Sequence, residues 1–518
     1  MTKYSVGIDL GTTYSCLAYI DEDGDPVVEK NFEQEETTPS VILFNENGEI
    51  IVGTSAKEMA LAYPEDRTIT AIKRSMGTDF KVYIDGVAYN PVELSATILR
   101  KLINDFNENH GCELEEAVIT VPAYFGQNER EQTKTAGIIA GLDKVYIINE
   151  PTAAAIAFGY GEKREKKERV LVYDLGGGTF DVTILEIDDG QFTTVATDGE
   201  RYLGGKDWDK DMTDIIIEKV AEESGTDPDD IKADKETMQT LIYESEKVKK
   251  RLSTAESTKG TLTVGEHKYV YTVNRDEFEA RSAANLQLTV DLIKKVLASK
   301  SFTVNDLDEI ILVGGSSRMP QVKGAITKNF PGTSVKIYDP DQSIAKGAAI
   351  FARSVMAGDE YLPEDDSEVR RVTIRNVLSK TFGIKAIYED GSEKISNLIF
   401  RNETLPIEKT KVYYPAEEDQ STIKIEIYEN SAENNEDGAR TATENGDPIG
   451  QFTMDLPEGA TKETPIKVTF IATEEGMLTA DVACMGQEKS YSIENDLKMT
   501  AEEIEKSQSI MEKVVSGI

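Results

Sequence analysis

One pattern, written twice, constrains this chain more than anything else in it. Val6-Gly7-Ile8-Asp9-Leu10-Gly11-Thr12-Thr13-Tyr14-Ser15-Cys16-Leu17-Ala18 reads as strand, Asp-Leu-Gly turn, strand. Leu171-Val172-Tyr173-Asp174-Leu175-Gly176-Gly177-Gly178-Thr179-Phe180-Asp181-Val182-Thr183-Ile184-Leu185 reads the same way. Such a repeat points to an internal duplication, two similar lobes each giving one hairpin to a shared cleft. Glycine turns let backbone N–H groups come close to a polyphosphate. No G-x-x-x-x-G-K-[ST] is present, so a P-loop is excluded. A third turn, Val313-Gly314-Gly315-Ser316, ends the apolar run that begins at Ile310. The hydroxyls of Thr12, Thr13 and Thr179 can donate to phosphate oxygens. Asp9, Asp174 and Asp181 can converge on one hydrated magnesium ion, which keeps several waters and needs only one or two carboxylates.

Composition narrows the classes. A chain of 518 residues holds about three to five folding units. The net charge of −38 disfavours nucleic-acid binding, because such a surface repels phosphate backbones. A nucleotide must then be held by local dipoles and a metal. No apolar run approaches the ~18 residues of a membrane span. The start, Met1-Thr2-Lys3-Tyr4-Ser5-Val6-Gly7, enters a strand pattern with no visible signal peptide. Cys16, Cys112 and Cys484 are odd in number and far apart, which argues against a disulfide framework and for a reducing cytoplasm. His110 and His267 are the only histidines, too few for a structural zinc site.

Strand and helix patterns alternate over the first ~355 residues, which predicts an α/β architecture. Leu94, Ile98, Leu99, Leu102, Ile103 and Phe106 share one helical stripe. A helix over 238–253 sets Glu246, Lys249, Lys250 and Ser253 on one side and Leu241, Val248 and Leu252 on the other. Its polar face can clasp a ribose and stack on a purine, or be a solvated face of intrahelical ion pairs. After Ala357 the chain turns polar and acidic, which reads as an exposed linker. From Val372 to about Ile493 short alternating strands predict a β-sandwich, with 429–448 as a polar loop. Thr500-Ala501-Glu502-Glu503 is a capping box, and Ile504, Met511, Val514 and Val515 then predict a short amphipathic helix.

D-L-G-T-T-Y-S-C, V-P-A-Y-F, I-I-N-E-P-T-A-A-A-I-A, D-L-G-G-G-T-F-D-V and V-G-G-S-S-R-M-P, in this order, resemble the heat-shock protein 70 chaperones of the DnaK type. The match is close over residues 1 to about 355 and weaker to the end. The resemblance implies an α/β actin-like (ribonuclease-H-like) two-lobed ATPase domain over 1–357 and an interdomain linker over 358–376. An all-β sandwich peptide-binding domain follows over 377–496, then a short helix, the stub of a lid, over 497–518. It implies ATP/ADP and Mg2+ as cofactors, with K+ as an open addition. Lys73, Glu150, Asp174 and Thr179 match the catalytic positions, with Lys73 placing the attacking water. Asp9, Asp174 and Asp181 match the metal carboxylates, acting mostly through water. Asp9, Gly11, Thr12, Thr13, Tyr14, Gly176, Gly177, Gly178, Gly204 and Gly205 match the phosphate side. Glu246, Lys249, Lys250, Ser253, Gly314, Gly315, Ser316, Arg318 and Asp341 match the adenosine pocket. Pro122 and Arg130 match the relay between domains. Phe382, Ile384, Ile387, Tyr413, Ala416 and Ile423 match the peptide cleft, where the alternative is plain sandwich core.

Four departures stand against the family pattern. Arg371-Val372-Thr373-Ile374-Arg375-Asn376 replaces an apolar linker, and its two cations are expected to resist burial against the ATPase lobes. Tyr146 stands where the family has an arginine, which with Asn376 weakens the case for a J-domain cochaperone. Lys206 replaces an acidic residue, and Lys250 replaces an adenine-stacking arginine. The chain ends where the lid begins, so captured peptide is expected to leave quickly. The leading expectation is a cytoplasmic, monomeric, ATP-dependent chaperone for extended apolar peptides, with a nucleotide exchange factor as a further partner and no nucleic-acid or membrane partner. The alternative is a specialised adaptor or exchange factor with weak hydrolysis and weak interdomain coupling. A sugar or acetate kinase, or a filament protein, on the same scaffold is opposed by the β-sandwich.

Overall fold

The structure, a computed structural model, describes residues 4–160, 166–356, 372–418, 420–433, 440–493 and 497–515. Two six-stranded sheets carry the duplication. In the first, Val6–Asp9 lies parallel to Glu116–Val121, which is parallel to Lys144–Asn149. On its other side it is antiparallel to Tyr14–Ile20. In the second, Glu168–Leu175 lies parallel to Glu309–Val313, which is parallel to Ser334–Ile337, and antiparallel to Phe180–Asp188. The two hairpins therefore occupy the same place in their sheets. Their registers agree as well: Asp9 faces Cys16 and Asp174 faces Asp181. These central strands are apolar almost throughout, as strands buried on both faces must be.

The lobes meet along two alanine-rich helices, Glu150–Gly159 and Ser343–Met356. Small side chains let their backbones approach closely. A Cβ on Gly347 would lie 1.8 Å from the Ala153 carbonyl oxygen. The helix Pro91–His110 buries the whole predicted stripe from Leu94 to Phe106. It starts on a capping box between Asn90 and Glu93 and ends on Gly111 at φ 62°. The polar-faced helix runs Lys235–Leu252.

The last third is a β-sandwich. Arg440–Ala442, Glu393–Ile399, Thr381–Ile387, Thr422–Asn430 and Gly446–Asp455 form one sheet. Ile407–Tyr413, Ile466–Ala472, Leu478–Cys484 and Gln487–Ser492 form the other. Along Ile466–Ala472 buried residues alternate with more exposed ones, as a sheet with one solvated face requires. The stretch expected as a polar loop, 429–448, is largely strand at both ends, with 434–439 outside the described residues. Polarity misled there because Glu429 and Asn430 are buried polar groups with partners.

Two further expectations are corrected. Thr373–Arg375 does not stay off the ATPase lobes: it adds a parallel strand beside Gln191–Thr193. Strand alternation explains how. Val372 and Ile374 turn into the core beneath Val170 and Phe192, while Thr373 and Arg375 face solvent. Arg371 lies outside the described residues. At the C-terminus the helix is Ala501–Met511, formed on the Thr500–Glu503 capping box. Val514–Val515 is not helical but pairs with Ile50–Val52. Ile504, Ile510 and Met511 pack on the first lobe's core, and the Ser507 hydroxyl donates to Glu93 at 2.8 Å.

Candidate functional site

The two hairpin turns and the Gly314 turn face each other across a cleft of about 680 Å³ between the lobes. The loops nearly interlock. A Cβ on Gly177 would lie 1.9 Å from Thr13 Oγ1, and one on Gly178 would lie 2.7 Å from Thr12 Oγ1. Only glycine keeps both backbones free to approach a ligand. Backbone bonds tie the second loop to the next helix: Gly205 N donates to Gly176 O at 2.9 Å, and Lys206 N to Gly177 O at 2.8 Å. Thr13 Oγ1 is buried with no partner.

At the base of the cleft, Lys73 and Glu150 form a buried ion pair. Lys73 sits in the tight turn Ile72–Ser75, entered through Ala71 in the left-handed conformation at φ 56°. Three more carboxylates surround the pair. Asp9 accepts from Thr120 Oγ1 at 3.0 Å. Asp181 Oδ1 accepts from Ala123 N at 3.0 Å, and its Oδ2 is buried with no partner. Burial first, then the Glu150 charge, push Asp9 up to about 7. The same causes hold Asp174 and Asp181 well above the usual carboxylate range. Four carboxylates face one ammonium, so the site is short of positive charge, and a divalent cation fits that shortage. Among the described residues no three His, Cys, Asp or Glu side chains form a direct ligand cage. An ion here is therefore suited to keeping its waters.

The other wall is the Lys235–Leu252 helix. Glu246 pairs with Lys57 at 2.6 Å and Lys250 at 2.7 Å, a bridge from lobe to lobe. Burial would raise the Glu246 pKa, but Lys250 and Lys57 hold it at about 2. The Lys250 ammonium lies 4.6 Å from the centre of the Tyr14 ring and 2.9 Å from its hydroxyl. Lys249 pairs with Asp209 at 2.7 Å and donates to Gly205 O at 2.8 Å. Arg318 pairs with Asp341.

Of the residues singled out in sequence, Asp9, Gly11, Thr12, Thr13, Tyr14, Lys73, Glu150, Asp174, Gly176, Gly177 and Thr179 line this one cleft. So do Gly205, Glu246, Lys249, Lys250, Ser253, Gly314, Gly315, Ser316, Arg318 and Asp341. Gly178, Gly204 and Asp181 stand just behind the wall. A Cβ on Gly204 would meet the Gly178 backbone at 2.6 Å. Sequence reading missed Lys57, Asp209, Arg74 and Asp207. Arg74 joins the lobes through Asp207 at 2.7 Å and the Gly178 carbonyl at 2.8 Å. Asp207 had a signal: three residues after Gly204 it accepts that residue's N–H at 2.8 Å, as the third residue of a helix can. Lys57 and Asp209 had none.

Pro122 is buried, and Arg130 touches both domains. Arg130 donates to Ala123 O at 3.4 Å, Asn149 Oδ1 at 2.8 Å and the sandwich's Glu475 O at 3.3 Å. Since Ala123 N holds Asp181, one chain of contacts runs from the cleft to the sandwich. In the sandwich, Phe382, Ile384 and Ile423 are 2%, 4% and 8% exposed and belong to its core. Tyr413 packs against that core with its hydroxyl on Ser396 at 3.0 Å. Ile387, at 62% exposure, and Ala416 face outward.

Two lobes of one topology clasping a glycine-lined cleft, joined to a β-sandwich, define an actin-like ATPase with an appended all-β domain. The Hsp70 protein family model matches residues 5–516. The chaperone protein DnaK of Thermosipho melanesiensis is 38% identical over 513 residues, 97% of this chain and 82% of that protein. The chain belongs to the Hsp70 family, and with it to the ATP-hydrolysing chaperones. Nothing in the cleft favours the adaptor reading: Lys73, Glu150, Asp174 and Thr179 are all in place.

Proposed function

We propose that the cleft binds ATP and ADP with Mg2+ and hydrolyses ATP to drive capture and release of extended apolar peptides by the sandwich. The observation that carries this is the Lys73–Glu150 pair set among three further buried carboxylates beneath two facing glycine loops. Asp9, Asp174 and Asp181 would hold hydrated Mg2+, which neutralises phosphate charge. Lys73, fixed by Glu150, orients the attacking water. Thr12, Thr13 and Thr179 donate hydroxyls to the phosphates, and the backbone N–H groups of Gly11 and Gly176–Gly178 line their path. Glu246, Lys249, Lys250, Ser253, Gly314, Gly315, Ser316, Arg318 and Asp341 take the adenosine. Catalysis of this kind is positioning and charge stabilisation.

The division into ATPase unit 1–357, linker 358–376, sandwich 377–496 and lid stub 497–518 belongs to the same reading. The seated linker strand and the Asp181–Ala123–Arg130–Glu475 contacts support coupling between the units. Exposed Ile387 and Ala416, and half-buried Tyr413, support a peptide edge in which backbone pairing gives affinity and apolar contacts give preference. Phe382, Ile384 and Ile423 would take part only on opening of the sandwich. A nucleotide exchange factor, a monomeric state and a cytoplasmic setting complete the proposal. No described helix is long and apolar enough to cross a membrane. Tyr146, whose hydroxyl donates to Glu116, leaves a J-domain partner the weakest part.

The test is steady-state ATP turnover of the full chain with and without an extended apolar peptide. Peptide-stimulated, Mg2+-dependent turnover is expected. Tight ATP binding without any turnover would refute the reading.

A further inference from the structure

Five cationic side chains line the nucleotide cleft: Lys73, Lys206, Lys249, Lys250 and Arg318. Four of them are already paired with carboxylates, Lys73 with Glu150, Lys249 with Asp209, Lys250 with Glu246 and Arg318 with Asp341. Lys206 is the exception among the described residues. Its ammonium has one neutral partner, Thr70 Oγ1 of the opposite lobe, at 3.0 Å. The nearest acids are committed elsewhere: Asp209 to Lys249, and Glu246 to Lys57 and Lys250.

The position is also electrostatically adverse for a cation. Lys206 is the second residue of the 20-residue helix Gly205–Ser224, where the helix dipole repels a cation. Arg74 adds a second positive charge nearby. Burial first, then Arg74, lower the Lys206 pKa to about 8, as befits a cation short of counter-charge. In a chain of net charge −38, a cleft lysine with no ion pair of its own among the described residues is a specific arrangement. Its backbone N–H, bound to Gly177 O at 2.8 Å, roots the side chain on the flank of the second phosphate loop.

We propose that Lys206 is a further nucleotide-binding residue whose ammonium takes a phosphate oxygen of bound ADP or ATP. The inference rests on reading the cleft as an ATP site and deepens it. It adds a cationic contact to the phosphate chain that the glycine loops and Thr hydroxyls do not supply. An anion there satisfies Lys206 and the helix N-terminus together. It also gives closure across the cleft a dependence on the nucleotide, because Lys206 reaches Thr70 on the other lobe.

The test is calorimetric titration of the full chain with ADP, ATP and adenosine, for the natural protein and for Lys206→Gln, Lys206→Arg and Thr70→Ala. Lys206→Gln is expected to weaken ADP and ATP about tenfold, the value of one charge-assisted bond. Adenosine affinity should not change, which also shows that the variant is folded. Lys206→Arg should restore most of the loss, and Thr70→Ala should bind ADP as the natural protein does. The proposal is overturned if Lys206→Gln binds ADP unchanged, or loses ADP and adenosine alike. It is equally overturned if Thr70→Ala reproduces the loss, which would make Lys206 a strut between lobes. A natural protein that binds adenosine no worse than ADP contradicts the phosphate reading of the cleft itself, a result distinct from all of these.

Discussion

The nucleotide cleft and the seam between the lobes and the sandwich are both built from buried charge, and they treat it in opposite ways. In the cleft, Asp9, Glu150, Asp174 and Asp181 share one ammonium, and Asp181 Oδ2 and Thr13 Oγ1 have no partner at all. In the seam several charged groups find partners across the domain boundary, although Glu429 faces Glu129 there. Glu475 pairs with Lys134 and accepts from Ile147 N at 3.4 Å, and its carbonyl takes Arg130. Arg401 pairs with Asp198 at 3.2 Å, and Leu478 N donates to Gln127 Oε1 at 2.9 Å. The difference teaches what completes each region. Unpaired buried groups are expensive, so the cleft favours a charged ligand. The seam is completed by the protein's own second half.

The sharpest way to break this comparison is to remove the one cation that those four carboxylates share. Lys73→Ala should lower turnover about a hundredfold or more while leaving nucleotide affinity within a few fold. Single-turnover hydrolysis and titration with ADP check it; retained turnover would strip Lys73 of its role. Next comes the linker strand. Ile374→Asp would bury a carboxylate against Phe192 and Val170, so the docked fraction should fall at least about tenfold, read by energy transfer between dyes on a lobe and on the sandwich.

The seam also predicts a pH effect. Glu429 of the sandwich lies at the start of helix Gln127–Ile139, accepting from Gln127 N at 3.3 Å, with Glu129 and Asp447 as repelling neighbours and Lys380 as an attracting one. Burial first, then Glu129, push it up to about 7 from an ordinary 4.5. A carboxyl whose pKa is raised by docking holds its proton more tightly when docked. Docking therefore strengthens as pH falls from about 7 toward 4.5, by up to about tenfold per pH unit, and is flat above about 7. Glu429→Gln should flatten that slope; an unchanged slope would refute the assignment. The smallest effect is expected at Arg375. It faces solvent, so Arg375→Glu should shift docking by less than about 0.5 kcal/mol.

The contrast between the two regions also governs what was legible in the sequence. The cleft could be read because its chemistry demands glycine, aspartate and threonine at fixed spacing beside strands, and Asp9, Gly177 or Thr179 has few structural substitutes there. The seam could not. Glu429, Glu475 and Gln127 are ordinary polar residues, and only the packing of two domains gives them partners. The linker was misjudged by counting its charges instead of assigning its faces: Arg375 and Ile374 are neighbours in sequence but lie on opposite sides of a strand. In the sandwich, core and peptide pocket both call for apolar side chains, so pattern alone could not separate Ile423 from Ile387.

The central claim is that the cleft is coupled to the seam through the contacts of Asp181, Ala123, Arg130 and Glu475. It is tested most directly by energy transfer between a dye on the first lobe and one on the sandwich, titrated with ATP and then with ADP on the Lys73→Ala chain, which is expected to bind without turning over. The account predicts a dye distance that differs between the ATP-filled and the ADP-filled cleft. The same distance with both nucleotides would contradict it.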